Sequence, residues 1–175
     1  MPPRPFLVNV GVLRRGGSHG PVHSKEEHRR GPVPGLEVTG TRVPQGGEAA
    51  IDAVLEVASG TSILVTGTVT APWEGECRRC LQTAAGTLTA TVRELYEDQP
   101  DPEETYKLRG DQLDLEPLVR DAVLLELPQA PLCREACAGL CPACGIDRNQ
   151  GTCSCENQPT DPRWAALDVL RGRQD

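Results

Sequence analysis

Ser62-Ile63-Leu64-Val65-Thr66-Gly67-Thr68-Val69-Thr70-Ala71-Pro72 is crowded with β-branched residues, which suit a pleated, half-buried surface and lose side-chain freedom in a helix. Just upstream, Ala49, Ile51, Ala53, Leu55 and Val57 occupy every second position, the period of a strand with one face buried. Ser59-Gly60-Thr61 supplies a turn between the two runs, so they are expected to pair as a hairpin. Downstream, Gly86-Thr87-Leu88-Thr89-Ala90-Thr91-Val92-Arg93-Glu94-Leu95-Tyr96 alternates in the same way. Three such runs in succession point to an antiparallel meander. The expected class is α+β: a β meander or partial barrel, one main packing helix, and a C-terminal cysteine-rich zinc knuckle.

Residues 6–13 and 35–38 read as further strands. Residues 14–34 are Gly, Pro, His and charge without apolar periodicity, and are expected to form a mobile loop. The acidic, Pro-rich residues 97–104 read as a second loop. The clearest helix spans residues 115–127, with Asp114 able to cap it and Pro117 in the first turn, where its missing N–H is harmless. Leu115, Leu118, Val119, Ala122, Val123 and Glu126 fall near one stripe, mostly apolar and suited to a sheet face. Pro128 ends the helix. Residues 162–170, Pro162-Arg163-Trp164-Ala165-Ala166-Leu167-Asp168-Val169-Leu170, form a short amphipathic pattern, read as an edge helix on the core before a partner-docking helix. The expected organisation is a β-rich domain over residues 1–132 and a cysteine-rich, zinc-binding tail over residues 133–175.

With one Phe, one Met, two Trp and two Tyr in 175 residues, the core is thin and calls for a staple. Eight cysteines are available to provide it. No apolar run is long enough to cross a bilayer, and residues 1–10 lack the apolar stretch of a secretory signal. The expected setting is therefore the reducing cytoplasm, where thiols stay free or bind metal. A net charge of −7 argues against indiscriminate nucleic-acid binding by the whole surface.

The cysteines fall in four close pairs: Cys77 with Cys80, Cys133 with Cys137, Cys141 with Cys144, and Cys153 with Cys155. A two-residue spacer lets one tight turn present two thiolates to a tetrahedral metal. Cys141-Pro142-Ala143-Cys144-Gly145 is the most specific signal: Pro fixes the bend, and Gly permits the close approach that aims backbone N–H groups at sulfur. Cys141, Cys144, Cys153 and Cys155 make a compact local set, leaving Cys77, Cys80, Cys133 and Cys137 as a long-range one. Spacing alone leaves room for a swap, such as Cys137 in place of Cys155. Two zinc ions are the expected cofactors. Cys77 and Cys80 as plain buried thiols, a thioredoxin-like redox pair and an iron–sulfur cluster are weaker readings, because the flanks are β and turn and the knuckle favours a mononuclear metal. His19, His23 and His28 read as solvated polar residues rather than a further site. All-thiolate sites are closed, and no His-Glu-x-x-His, P-loop or nucleophile triad is present, so an enzyme is not expected.

Cys77-Arg78-Arg79-Cys80-Leu81, the Asp114-Leu115 to Leu127-Pro128 segment, the run from Leu132-Cys133 through Cys137-Ala138-Gly139-Leu140-Cys141-Pro142-Ala143-Cys144-Gly145 and Asn149 to Cys153-Ser154-Cys155, and the closing Asp161-Pro162-Arg163-Trp164 together resemble the YceD family, the large ribosomal RNA subunit accumulation proteins of bacteria and plastids. The resemblance implies a role in accumulation or processing of large-subunit ribosomal RNA. Some family members keep the first cysteine pair, carry His and Cys about where Cys133 and Cys137 stand, and lack the later knuckle. That implies Cys77, Cys80, Cys133 and Cys137 as one site, with the C-terminal four as a second, optional one.

Three functions follow as expectations. The first is an assembly factor binding ribosomal RNA or a pre-50S particle, with Arg78, Arg79, Arg14 and Arg15 contacting phosphate. The second is a zinc-stabilised module gripping a ribosome-assembly protein. The third is a redox- or metal-responsive regulator.

Overall fold

The computed structural model describes residues 4–16, 24–101, 103–155 and 163. In chain order the elements are β1 (Leu7–Asn9), α1 (Gly11–Arg15), β2 (Ser24–Pro32), β3 (Glu37–Val38), β4 (Thr41–Arg42), β5 (Glu48–Val57), β6 (Ile63–Glu76), β7 (Thr83–Glu97), β8 (Tyr106–Arg109), β9 (Gln112–Asp114) and α2 (Glu116–Glu126). The α+β class is as expected from the sequence.

The expected meander forms the centre. β5 and β6 pair antiparallel about the Ser59–Ser62 turn, with Ile51 opposite Val69. β6 and β7 pair antiparallel along their whole length, with Val69 opposite Ala90. The alternation buries Ile51, Leu55, Val65, Val69, Ala90 and Val92 on one face. The stripe of α2, from Leu115 through Leu118, Val119 and Val123 to Leu127, packs there, while Leu125 on its far side is 83% exposed. Asp114 does serve the helix start: its Oδ1 accepts the Glu116 N–H at 3.0 Å.

The sheet is curled. Its order runs β1-β9-β8-β7-β6, β6 continues onto β5 and β2, and the far end of β6 carries β4 and β3. The β2 margin returns towards β1: Lys25 Nζ donates to the Asn9 carbonyl at 3.0 Å, and a Cβ on Gly31 would collide with the Pro5 ring. Glycine at position 31 thus lets β2 pass close to the Pro5-Phe6 segment that leads into β1.

The expected mobile loop over residues 14–34 is corrected in its described parts. Arg14 and Arg15 end α1, and β2 pairs with β5 from Ser24↔Glu56 to Pro32↔Glu48. An edge strand takes its stability from its ladder, and charge on it discourages pairing with other chains, so β2 needs no apolar alternation. Its inward Glu27 is held by Lys25 at 2.5 Å and Arg29 at 2.8 Å. The opening strand is also shorter than the expected residues 6–13. Asn9 Oδ1 accepts the Gly11 N–H at 2.9 Å and turns the chain into α1, leaving Val12 64% exposed. The short β8–β9 hairpin lies in residues where no element was expected. The pattern at residues 162–170 lies outside the described residues apart from Arg163.

Candidate metal centre

The turn between β6 and β7 is built by Cys77-Arg78-Arg79-Cys80. Leu81 N–H donates to the Cys77 carbonyl at 2.9 Å, and Cys77 N–H to the Gln82 carbonyl at 2.8 Å. Leu81 takes the left-handed conformation (φ +63°) that closes so tight a turn.

The segment leaving α2 is strapped onto this turn. Arg78 N–H donates to the Pro131 carbonyl at 3.0 Å and its guanidinium to Gln129 at 2.6 Å. The Arg79 guanidinium donates to the Cys137 carbonyl at 2.9 Å and to Glu135 at 3.3 Å. Cys133 and Cys137 are thereby brought to Cys77 and Cys80. All four Sγ atoms lie within 4.8 Å of one another; Cys77 and Cys137 are 3.8 Å apart, Cys80 and Cys133 3.6 Å. Sulfurs at the corners of a tetrahedron around zinc, with bonds near 2.3 Å, stand about 3.8 Å apart. A disulfide requires about 2.05 Å, and all eight cysteines are free. The donor set and its spacing therefore fit a tetrahedral thiophilic metal.

The thiols of this quartet are unequal. The Cys133 N–H, followed by those of Arg79 and Cys80, pulls the Cys77 thiol down to about 6. Burial pushes Cys137 up, but the Gly139 N–H and the Asn149 side chain bring it below its usual value. At Cys80 the Gln82 N–H favours the thiolate, yet burial and the neighbouring thiols win and push it up to about 12. Burial raises Cys133. Cys77 and Cys137 are shifted down while Cys80 and Cys133 are shifted up, the split expected where four thiols share one small space. A cation at the centre favours the thiolate at all four.

The second quartet is Cys141, Cys144, Cys153 and Cys155, its Sγ atoms also within 4.8 Å. Gly145, at φ +74°, donates its N–H to the Cys141 carbonyl at 2.8 Å, and the Cys144 and Ala143 N–H groups pull the Cys141 thiol down to about 6. The Cys144 thiol pushes Cys155 up to about 12, and Cys141 raises Cys153. Spacing left the division of the eight open; the fold groups them in these two sets, without the swap. The first is largely buried beside Ala84, Trp73, Leu132 and Leu140, whereas only Cys141 of the second is buried.

The four arginines considered for RNA contact fall into two places. Arg78 and Arg79 stay exposed while bonded to the tail carbonyls. Arg14 pairs with Asp98 at 2.7 Å and also donates to the Gly110 carbonyl, and Arg15 pairs with Asp111 at 2.5 Å. Those partners stand near the β7 end that faces the start of β6, so the β6 strand, roughly 40 Å long at strand rise, separates the pairs. His28 lies on β2 with Nδ1 2.6 Å from Asp52 Oδ1; His19 and His23 lie outside the described residues. Asn149 acquires a role the sequence did not disclose: its Nδ2 sits 3.5 Å from Cys137 Sγ. The available signal was Asp147-Arg148-Asn149, an Asx-turn pattern between the knuckle and the last cysteine pair.

The sequence profile described as large ribosomal RNA subunit accumulation protein YceD matches residues 65–171. Uncharacterised proteins of Mycobacterium bovis and Mycobacterium tuberculosis are each 35% identical over 97% of this chain and 87% of their own length. The Arabidopsis thaliana chloroplastic protein named large ribosomal RNA subunit accumulation protein YCED homolog 1 is 33% identical, over 34% of this chain and 19% of its own. No solved structure gives a significant match. Among the described residues no helix is long and apolar enough to cross a membrane. The matched span holds both cysteine quartets and the strands and helix that present them, and on it the chain belongs to the YceD family.

Proposed function

We propose that this protein is a non-catalytic, zinc-stabilised factor of the cytoplasm that supports accumulation and processing of large-subunit (23S) ribosomal RNA, and so ribosome assembly. The observation that carries the metal part is the approach of eight free thiols in two quartets, the Sγ atoms of each within 4.8 Å of one another. Zinc suits four thiolates, and such a site keeps no open position for a substrate, which supports a structural rather than catalytic role. The ribosomal part rests on the family.

The test has two arms. Purified protein should carry two zinc ions, falling to one in both Cys77→Ser and Cys144→Ser; fewer than two in the wild type would remove the two-site reading. Cells lacking the protein should accumulate less large- than small-subunit ribosomal RNA, restored by the wild type and not by Cys77→Ser. An unchanged ratio would remove the ribosomal reading.

Phosphate contact is assigned first to Arg78 and Arg79, which are exposed beside the first quartet, and second to Arg14 and Arg15, which carboxylates already hold. An alternative surface is a cleft of about 530 Å³ near the opposite end of β7, lined by Arg4, Lys107 and Arg109 together with Asp114 and Glu116, a majority of basic over acidic groups. None of the three basic residues is in an ion pair among the described residues. The net charge of −7 and the pairing of Arg14 and Arg15 favour the second reading, a module gripping a ribosome-assembly protein. RNA affinity that falls steeply with salt, with a shallower slope in Arg78→Ala/Arg79→Ala, supports direct contact. Salt-insensitive binding supports the protein partner.

A further inference from the structure

The two quartets are joined by more than chain. Only Ala138, Gly139 and Leu140 separate Cys137 of the first from Cys141 of the second. The loop between Cys144 and Cys153 folds back over this link. Arg148 N–H donates to the Gly139 carbonyl at 2.9 Å, and Leu140 and Asp147 form an antiparallel bridge.

From that loop Asn149 reaches into the first quartet. Its Oδ1 accepts the Ala138 N–H and the Arg134 guanidinium, both at 2.7 Å. Its Nδ2 faces Cys137 Sγ at 3.5 Å and Asp147 Oδ1 at 2.6 Å. The amide has one orientation that works. Ala138 N–H and Arg134 can only donate, and the Asp147 carboxylate and Cys137 thiolate can only accept, so oxygen must face the first two and nitrogen the others. Asp147 Oδ1 also accepts the Asn149 N–H at 2.9 Å, which holds the residue at that angle.

We propose that Asn149 is a positioning residue through which metal in the second quartet tightens metal binding in the first. Four thiolates around a divalent cation leave excess negative charge on sulfur, and an N–H donor to one sulfur offsets part of it. Cys144 and Cys153 flank the Asn149 loop, so metal at the second site pins both loop ends and holds the N–H···S contact in place. With that site empty the loop samples more conformations, and the contact is made for less of the time. The coupling is reciprocal: filling the first site tightens the second by the same factor. This inference rests on reading both quartets as metal sites.

The test uses the full chain with Co(II), whose thiolate charge-transfer band reports each site. Single-site spectra come from Cys144→Ser and Cys77→Ser, and affinities from chelator competition. Asn149→Ala should weaken cobalt at the first site about 10-fold. Cys144→Ser should weaken it by a similar factor, and the two together by no more than either alone. Asn149→Asp keeps the acceptor for Ala138 and Arg134 but loses the donor to sulfur. It should weaken the site at least as much and shift the band, which a purely structural role would not do. Cys77→Ser should weaken the second site by the factor by which Cys144→Ser weakens the first. Wild-type affinity in Asn149→Ala or Asn149→Asp, or effects that multiply in the double variant, would overturn the coupling. Failure of the metal reading itself shows separately, as a wild type that takes up fewer than two Co(II).

Discussion

Gly139 stands at φ +71°, and a Cβ there would lie 2.9 Å from the Arg79 carbonyl oxygen, which accepts the Leu140 N–H at 2.9 Å. Gly139→Ala therefore strains the backbone and pushes the tail off the first cysteine turn. The expected cost is about 2 kcal/mol, read as a lower urea midpoint at unchanged slope. His28 supplies a pH-dependent counterpart. Its hydrogen bond and charge attraction to Asp52 raise its pKa above the ordinary 6.5. The folded value exceeds the unfolded one, so the contact stabilises fully below about pH 6.5 and loses its effect as pH rises through the folded midpoint. An NMR titration should place that midpoint above 6.5 and return it towards 6.5 in Asp52→Asn; an unshifted His28 would remove the contact from the account. The cysteine turns that could hold a metal were legible from spacing, since Cys-x-x-Cys and Cys-Pro-x-Cys-Gly record local turns. Spacing left their division into quartets open, because it holds no distance between Cys77 and Cys137; the family resemblance implied the grouping in which the thiols gather. Nor did the charge of Arg78 and Arg79 announce that their donors would meet backbone carbonyls.

β2 shows why some elements escape a sequence reading. Its Lys, Glu, His and Arg residues carry no apolar period, yet nine residues ladder onto β5. The force on an edge strand is mainly backbone pairing, and the charged side chains of β2 pair with one another or with Asp52 and Glu48 of β5. Glu27 makes that testable: its side chain is 8% exposed and bonds both Lys25 and Arg29. Glu27→Ala leaves the half-buried Arg29 without its carboxylate, and the Arg29 Nε is already without a partner. Because Lys25 and Arg29 keep access to water, the expected cost is about 1–2 kcal/mol by urea unfolding. Glu27→Gln should recover part of it, and an Ala variant as stable as wild type would show that the ladder alone holds β2. β5, β6, β7 and α2 were legible for the opposite reason, since each buries one face over ten or more residues and the period must appear in the sequence. β8 and β9, of four and three residues, offer too few positions for a period to show.

The described residues form two apolar clusters rather than one. The larger joins the sheet and α2, and the smaller gathers Cys77, Cys80, Ala84 and Cys137; Trp73 packs against both. The large cluster needs no cysteine, so its stability should survive loss of metal, while the segment over residues 129–155 depends on the quartets and on the straps from Arg78 and Arg79. Chelation at neutral pH should therefore loosen the tail without melting the sheet. In hydrogen exchange, the Arg78 and Leu140 amides, which bond between the turn and the tail, and the Cys141 and Arg148 amides, which bond within the tail, should lose protection, while Ile51, Val69 and Ala90 keep theirs. Trp73 gives an independent reading because one side of it faces the quartet. In a Trp164→Phe background its emission should shift to the red on chelation while far-UV dichroism barely changes. Protection lost throughout, with dichroism collapsing in step, would mean that the thin core cannot stand without metal and that the two clusters fold as one unit. Retained tail protection would instead show that the arginine straps alone hold the tail in place.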